Sequence, residues 1–207
     1  MHFNAYTTAP PRPGSLAGRE PHRHGSGSRA RLACVTLIVV SGAPGTGKST
    51  IAAGLAAELR WPLLSLDPVK ETLADVLGLG DEHWSDRLGD AAAEVIFRLT
   101  PQFPDSITEG WWRGARRELA LAAFAGAVEV FCRCPPELAA RRMHDRHGVS
   151  RHPIHRDVMN PAVADRAFEL ARTVAPLRLG AALIEVDTGQ EGATTRAVAA
   201  VRTALHR

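Results

Sequence analysis

The residues with the clearest chemical content are Gly42-Ala43-Pro44-Gly45-Thr46-Gly47-Lys48-Ser49, which fit the spacing G-x-x-x-x-G-K-S/T. Glycines at these positions let a backbone curl without a Cβ clash. Successive N–H groups and the positive end of a following helix then converge on one concavity suited to a polyphosphate. In such a loop Lys48 reaches the β- and γ-phosphates and Ser49 holds Mg²⁺, and the candidate nucleotide-binding residues run from Gly42 through Thr50. All but two of the 25 basic residues are arginine, the exceptions being Lys48 and Lys70. A compact ammonium fits a phosphate loop where a wide planar guanidinium does not, which accounts for Lys48 and singles out Lys70.

Two carboxylates stand where a loop of this kind would need them. Asp67 follows the apolar run Leu63-Leu64-Ser65-Leu66, which reads as a short buried strand, and precedes Pro68 at the start of a helix. It could serve as that helix's N-cap, as a base, or as both. Glu109 ends a second short run, Ser106-Ile107-Thr108-Glu109, before Gly110-Trp111-Trp112, and could hold a metal-bound water. Arg142 and Arg146 stack like charges one helical turn apart, at a cost of a few tenths of a kcal/mol (~0.2–0.5) unless an anion lies between them. Arg141 has Glu137 and Asp145 as neighbours, so the Arg142/Arg146 pair is the candidate phosphate site. His144, His147, His152 and His155 fit no familiar zinc spacing and suit a polar flap.

The elements that must position these groups alternate. Val35–Ser41 reads as a strand before the glycine loop, and residues 50–59 as a helix ended by Trp61-Pro62. A helix from Asp67 is followed by a loop at 81–85 and a helix over 86–99 with Leu88, Ala92, Val95, Ile96 and Leu99 on one side. Further helices are expected over 113–124 and from Pro135 to Arg146, with a strand at 128–132 between them. Asn160-Pro161 caps a helix reaching Arg172, a fifth strand spans 182–186, and a last helix carries Val198, Val201 and Leu205. Strand-to-helix crossovers of this kind imply a parallel sheet covered on both faces, with ligands at the strands' carboxyl ends.

At 207 residues and 45% apolar content the chain suits one domain. Residues 1–31, rich in Pro, Gly, Arg and His, are expected to be a disordered tail, and 32–207 the folded domain with a lid around 141–159. No membrane span or signal peptide is expected, so the reading is cytoplasmic. The +3 charge is spread among interspersed acids, without a basic run, which argues against a nucleic-acid partner. Cys34, Cys132 and Cys134 are expected as thiols, since Cys-Arg-Cys in one strand does not close a relaxed disulfide.

Taken together, Gly42–Ser49, Ser65-Leu66-Asp67-Pro68-Val69-Lys70-Glu71, Arg142-x-x-x-Arg146 and Val186-Asp187-Thr188 resemble the small P-loop kinases, the group that includes chloramphenicol phosphotransferase, gluconate kinase and the zeta-toxin kinases. The resemblance covers about residue 33 to the end. It implies an α/β P-loop NTPase fold, a five-stranded parallel sheet in order 2-3-1-4-5, ATP with Mg²⁺, and γ-phosphoryl transfer to a hydroxyl of a small molecule. By motif position it makes Asp67 the base, Arg142 and Arg146 lid arginines, and Asp187-Thr188 the turn beside the adenine. Lys70, Arg87, Trp111 and Trp112 are the further candidates for the acceptor side, Lys70 as a cation that could steady an anionic group. Where many relatives end the third strand with Asp, this chain has Glu109 and two tryptophans. A regulatory ATPase switch without an acceptor, and a polynucleotide end-kinase, remain as alternatives.

Overall fold

The computed structural model describes residues 36–146, 151–155 and 162–206. The expected tail, residues 147–150 and 156–159 of the expected lid with His147, and the expected Asn160-Pro161 cap lie outside these residues, as does Cys34. Five parallel strands form one sheet: β1 (Thr36–Gly42), β2 (Leu63–Ser65), β3 (Asp105–Glu109), β4 (Val128–Arg133) and β5 (Leu183–Asp187). Their order is β2-β3-β1-β4-β5, as the resemblance implies. Among the described residues seven α-helices accompany them: α1 (Lys48–Leu59), α2 (Leu66–Leu77), α3 (Glu82–Leu99), α4 (Ala115–Ala123), α5 (Pro136–Asp145), α6 (Val163–Thr173) and α7 (Ala193–Leu205).

Alternate strand residues feed two cores. Ile38 and Val40 of β1 pack with Ile51 and Leu55 of α1 and with Val198 and Val201 of α7. Val39, pointing the other way, packs with Ala92 and Ile96 of α3 and with Phe124 beyond α4. Both faces are therefore apolar, which is why the strands read as continuous hydrophobic runs. Among the buried polar strand residues, Glu129 on β4 is a fully buried carboxylate. It accepts hydrogen bonds from Ser41 Oγ at 2.5 Å and from the Leu177 and Arg178 N–H groups at 2.8 and 2.7 Å, so the carboxylate ties the chain before β5 to the sheet.

Most element ends differ from the sequence reading by one or two residues, and two of the differences bear on the site. The segment 81–85, expected as a loop, is the first turn of α3: the Asp81 carboxylate accepts from the Trp84 N–H at 2.8 Å, an N-cap that extends the helix ahead of its apolar stripe. Leu66 belongs to α2 rather than β2, so Ser65 is the N-cap residue and Asp67 sits inside the first turn, where it is not the cap.

The register places the site. Ser65 pairs with Glu109, Glu109 with Val40, Gly42 with Cys132, and Arg133 with Asp187. The exits of all five strands thus share the carboxyl edge of the sheet, and each chemically notable segment begins there.

Candidate phosphate loop and acceptor pocket

Between β1 and α1 the chain turns through Gly42, Gly45 and Gly47 at φ of 140°, 79° and 78°. A Cβ on Gly42 would lie 2.3 Å from the Cys132 carbonyl oxygen, and one on Gly45 would lie 2.5 Å from that of Ala139. The loop is wedged between β4 and α5, and only glycine fits at these two positions. Thr46 Oγ1 and Lys48 Nζ both donate to the Ala43 carbonyl, at 2.7 and 2.9 Å. Burial lowers the Lys48 pKa, while Glu109 and Asp67 nearby pull it back up. Ser49 and Thr50, at the start of α1, are exposed.

The loop is braced from the far side. Arg142 on α5 donates from Nη1 to the Gly45 carbonyl at 3.3 Å and to Thr188 Oγ1 at 3.1 Å, and from Nη2 to the Thr188 carbonyl at 2.9 Å. Thr188 Oγ1 in turn donates to the Thr46 carbonyl at 2.7 Å, and Asp187 Oδ1 accepts from the Gly189 N–H at 2.9 Å, closing the turn. This corrects the expectation of an unpaired arginine couple. Arg142 is held by the loop and by the Asp187-Thr188 turn, whereas Arg146, at the C-cap of α5, is exposed and its side chain donates to neither among the described residues. One turn of separation along a helix does not give two long side chains one target.

Glu109, at the tip of β3, is buried, and its Oε1 lies 3.5 Å from Ser49 Oγ. Desolvation raises its pKa, against the pull of Lys48. A hydroxyl and a carboxylate oxygen beside a buried ammonium are hard donors of the kind Mg²⁺ selects, so the residues present fit that ion with a polyphosphate.

A cavity of about 380 Å³ adjoins the loop. Pro44 of the loop, Asp67 and Lys70 of α2, and Ser85 of α3 form part of its wall. Lys70 Nζ donates to Ser85 Oγ at 2.8 Å, so its first partner is this hydroxyl and not Asp67. Arg151 Nη2 pairs with Asp67 Oδ2 at 3.2 Å. Its neighbours His152 and His155 reach Asp75 and Glu71 at 3.0 and 2.7 Å, and Ser85 Oγ donates to the Ile154 carbonyl at 2.7 Å. The described part of the expected flap is therefore a strap laid along the acidic edge of α2. Its histidines serve α2 carboxylates; among the described residues no cluster of histidine, cysteine and acidic side chains is arranged to hold a metal.

The tryptophans divide. Trp111 lines the cavity, with the guanidinium of Arg113 4.8 Å from its ring centroid and that of Arg166 5.9 Å away. Trp112, one residue on, turns inward and packs its ring against Phe97 and Phe124 with centroids 5.5 and 5.3 Å apart. It is a core residue 5% exposed, which removes it from the acceptor side. Arg87 also stands away from the cavity wall, over the ring of Trp84 at 5.3 Å. The cavity contains cations that local spacing did not single out, namely Arg113, Arg116 and Arg166. Arg113 stands in the stretch after β3, Arg116 in the first turn of α4 and Arg166 on α6, which is far from both in sequence.

A loop of this geometry at the carboxyl edge of a 2-3-1-4-5 parallel sheet, with an acid at the start of α2 and another at the tip of β3, defines the small P-loop kinase class of fold. A family model described as an AAA domain matches residues 37–168, well over half of the chain, and the protein belongs to that family. It is similar to a Chloroflexus aurantiacus J-10-fl protein provisionally assigned as a kinase, whose crystal structure covers 82% of this chain and 98% of its own at a TM-score of 0.69 and 32% identity. It is also similar to a shikimate kinase of Bradyrhizobium diazoefficiens, 30% identical over 111 residues, which are 53% of this chain and 54% of that one. A cytidylate kinase of Ignicoccus hospitalis is 29% identical over 120 residues, 56% of this chain and 67% of that one. The chain thus spans about half the length of the first of these curated relatives and two thirds of the second. Among the described residues no helix is long and apolar enough to cross a membrane.

Proposed function

We propose that this protein is an ATP-dependent phosphotransferase that moves the γ-phosphoryl group of ATP to a hydroxyl of a small molecule. The observation that carries the reading is that Asp67 and Pro44 of the phosphate loop line the same cavity, so a molecule in it adjoins both a carboxylate and the loop.

The loop amides and Lys48 would bind the phosphates, Ser49 and Glu109 would hold Mg²⁺, and the Asp187-Thr188 turn would border the nucleotide. When bound, Mg²⁺ supplies charge neutralisation on the phosphate oxygens. Phosphoryl transfer passes through a loose transition state, so the protein's main contribution is position and positive charge. Asp67 accepts the proton of the acceptor hydroxyl as its oxygen bonds to the γ-phosphorus. The bond to the bridging oxygen breaks, ADP leaves with that electron pair, and Asp67 returns the proton to solvent. Arg151, paired with Asp67, joins the positive charge around the reacting groups. Arg142 acts through the loop by fixing the Gly45 carbonyl. A volume of about 380 Å³ is in the lower part of the ~300–1,000 Å³ range of small-ligand sites and favours a metabolite-sized acceptor over a nucleic-acid strand.

The test is Lys48→Ala, assayed for ATP-dependent ADP release across hydroxylated metabolites and antibiotics. Turnover should vanish while the folded circular-dichroism spectrum persists. Turnover at the wild-type rate would sink the phosphotransferase reading, and ADP release that no acceptor stimulates would turn it toward an ATPase switch.

A further inference from the structure

The cavity wall carries five cations, Lys70, Arg113, Arg116, Arg151 and Arg166, against three carboxylates, Asp67, Glu82 and Asp86. Three of the cations have their charge answered. Arg116 pairs with Asp90 and lies 3.6 Å from Asp86, Arg113 Nη2 lies 2.8 Å from Asp86, and Arg151 holds Asp67. Two have no carboxylate within salt-bridge distance among the described residues. Lys70 donates to the Ser85 hydroxyl, and Arg166 stands beside the ring of Trp111. Arg113 also has its Nε–H buried without a hydrogen-bond partner there.

A polyol would have no use for this excess. Neutral hydroxyls are read by neutral donors and acceptors, and concentrating cations in a partly desolvated cleft costs free energy when no anion answers them. The surroundings of Lys70 register that cost: burial lowers its pKa, and Arg116 and Arg113 lower it further, against Asp67 and Asp86. Arginine is the side chain suited to planar, two-pronged recognition of carboxylate and phosphate.

We propose that the acceptor carries an anionic group, a carboxylate or a phosphate monoester, received by Arg166 and Lys70 with Arg113 beside them, and that this contact orients its hydroxyl toward Asp67. The inference rests on the phosphotransfer reading and adds the acceptor's charge to it. Arg166 is then a specificity residue: it touches a part of the acceptor that does not react, and its removal weakens binding more than chemistry.

Two measurements on the full chain test this. The first is ADP release from Mg²⁺-ATP with matched acceptor pairs, hydroxy acids against their amides and sugar phosphates against the free sugars, for wild type and Arg166→Gln. Stimulation is expected from anionic members only. Arg166→Gln should raise the acceptor KM about ten- to a hundredfold with a smaller change in kcat and none in the ATP KM. Equal stimulation by neutral members, or an unchanged acceptor KM in the variant, overturns the anionic assignment while leaving the kinase reading in place. The second measurement is calorimetric titration of inorganic phosphate into Lys48→Ala, in which the phosphate loop is crippled, and into Lys48→Ala with Arg166→Gln. Binding in the single variant that is lost in the double supports the anion site even if no acceptor in the panel turns over. Absence of binding in the single variant, or equal binding in both, overturns it. If no acceptor of either charge stimulates ADP release, it is the kinase reading that fails.

Discussion

Arg151 Nη2 lies 3.2 Å from Asp67 Oδ2, joining the strap after α5 to the first turn of α2 at the mouth of the cavity. Half of the Asp67 side chain is exposed, so the pair stabilises the fold by only about 0–1 kcal/mol. Its value is positional, since it holds a guanidinium and a carboxylate side by side where phosphoryl transfer needs both.

Asp67→Asn separates position from stability. Because Ser65 and not Asp67 is the N-cap residue of α2, the substitution removes no cap, only the weak pair and an acid in the helix's first turn. The melting temperature should shift by a degree or two, matching a loss of about 1 kcal/mol or less. Acceptor-stimulated turnover should fall on the order of 10² to 10⁴, the usual cost of losing a general base, with ATP affinity retained. Nucleotide titration alongside steady-state rates checks this, and undiminished turnover would leave Asp67 with a structural role alone.

Arg142 and Arg146 should part company. Arg142→Ala strips the Gly45 and Thr188 carbonyls of charged donors, so stability should fall by about 1–2 kcal/mol and nucleotide affinity with it, as the loop loses its brace. Arg146→Ala, at an exposed C-cap, should change stability by less than about 0.5 kcal/mol. Thermal melts with and without ADP read both effects; equal behaviour of the two variants would contradict the bracing role.

What the sequence made legible is what is local. The phosphate loop is eight consecutive residues whose chemistry is written in glycine and lysine spacing. Asp67 and Glu109 follow from it because a parallel register delivers successive strand ends to one edge. Lys70 was legible as an acceptor-side cation, but its companions Arg113, Arg116, Arg151 and Arg166 were not, because they meet it only through the packing of α2, α4, α6, the strap and the stretch after β3. A trace existed in the strap, where Arg151, His152 and His155 answer carboxylates at Asp67, Asp75 and Glu71, acids repeating every fourth residue on α2. Charges far apart in sequence declare themselves partners only once the helix is known to lie beneath them. Trp112 was misplaced for a related reason: two adjacent tryptophans cannot face the same way on leaving a strand, and sequence does not say which one turns inward.

The two tryptophans should therefore respond oppositely to truncation. Trp112→Ala opens a hole among Phe97, Phe124 and Ile96 and should cost about 3–5 kcal/mol. Trp111→Ala should cost far less stability and show instead as a raised acceptor KM, since its ring lines the cavity between the Arg113 and Arg166 guanidinium groups' reach. Urea denaturation and acceptor titration together separate the cases. A large stability loss at Trp111 with unchanged KM would reverse the assignment.

The strap should loosen in acid, and His155 sets the window. Burial lowers its pKa from the ordinary 6.5, and Arg151 and Lys70 push the same way, while Asp67 and the hydrogen bond to Glu71 oppose them. A histidine lowered on folding binds its proton more readily in the unfolded chain. Its contribution is thus fully present above about pH 6.5 and is lost as pH falls from there through the folded-state value. His155→Gln keeps a polar side chain without that proton uptake, so the fall in melting temperature from pH 7 to pH 5 should be smaller in the variant than in wild type. The His155 ring resonance should titrate below 6.5 in the folded protein. Titration at or above 6.5, or parallel melting curves for the two proteins across this range, would mean that the ion pair with Glu71 outweighs burial and that the strap tightens in acid instead.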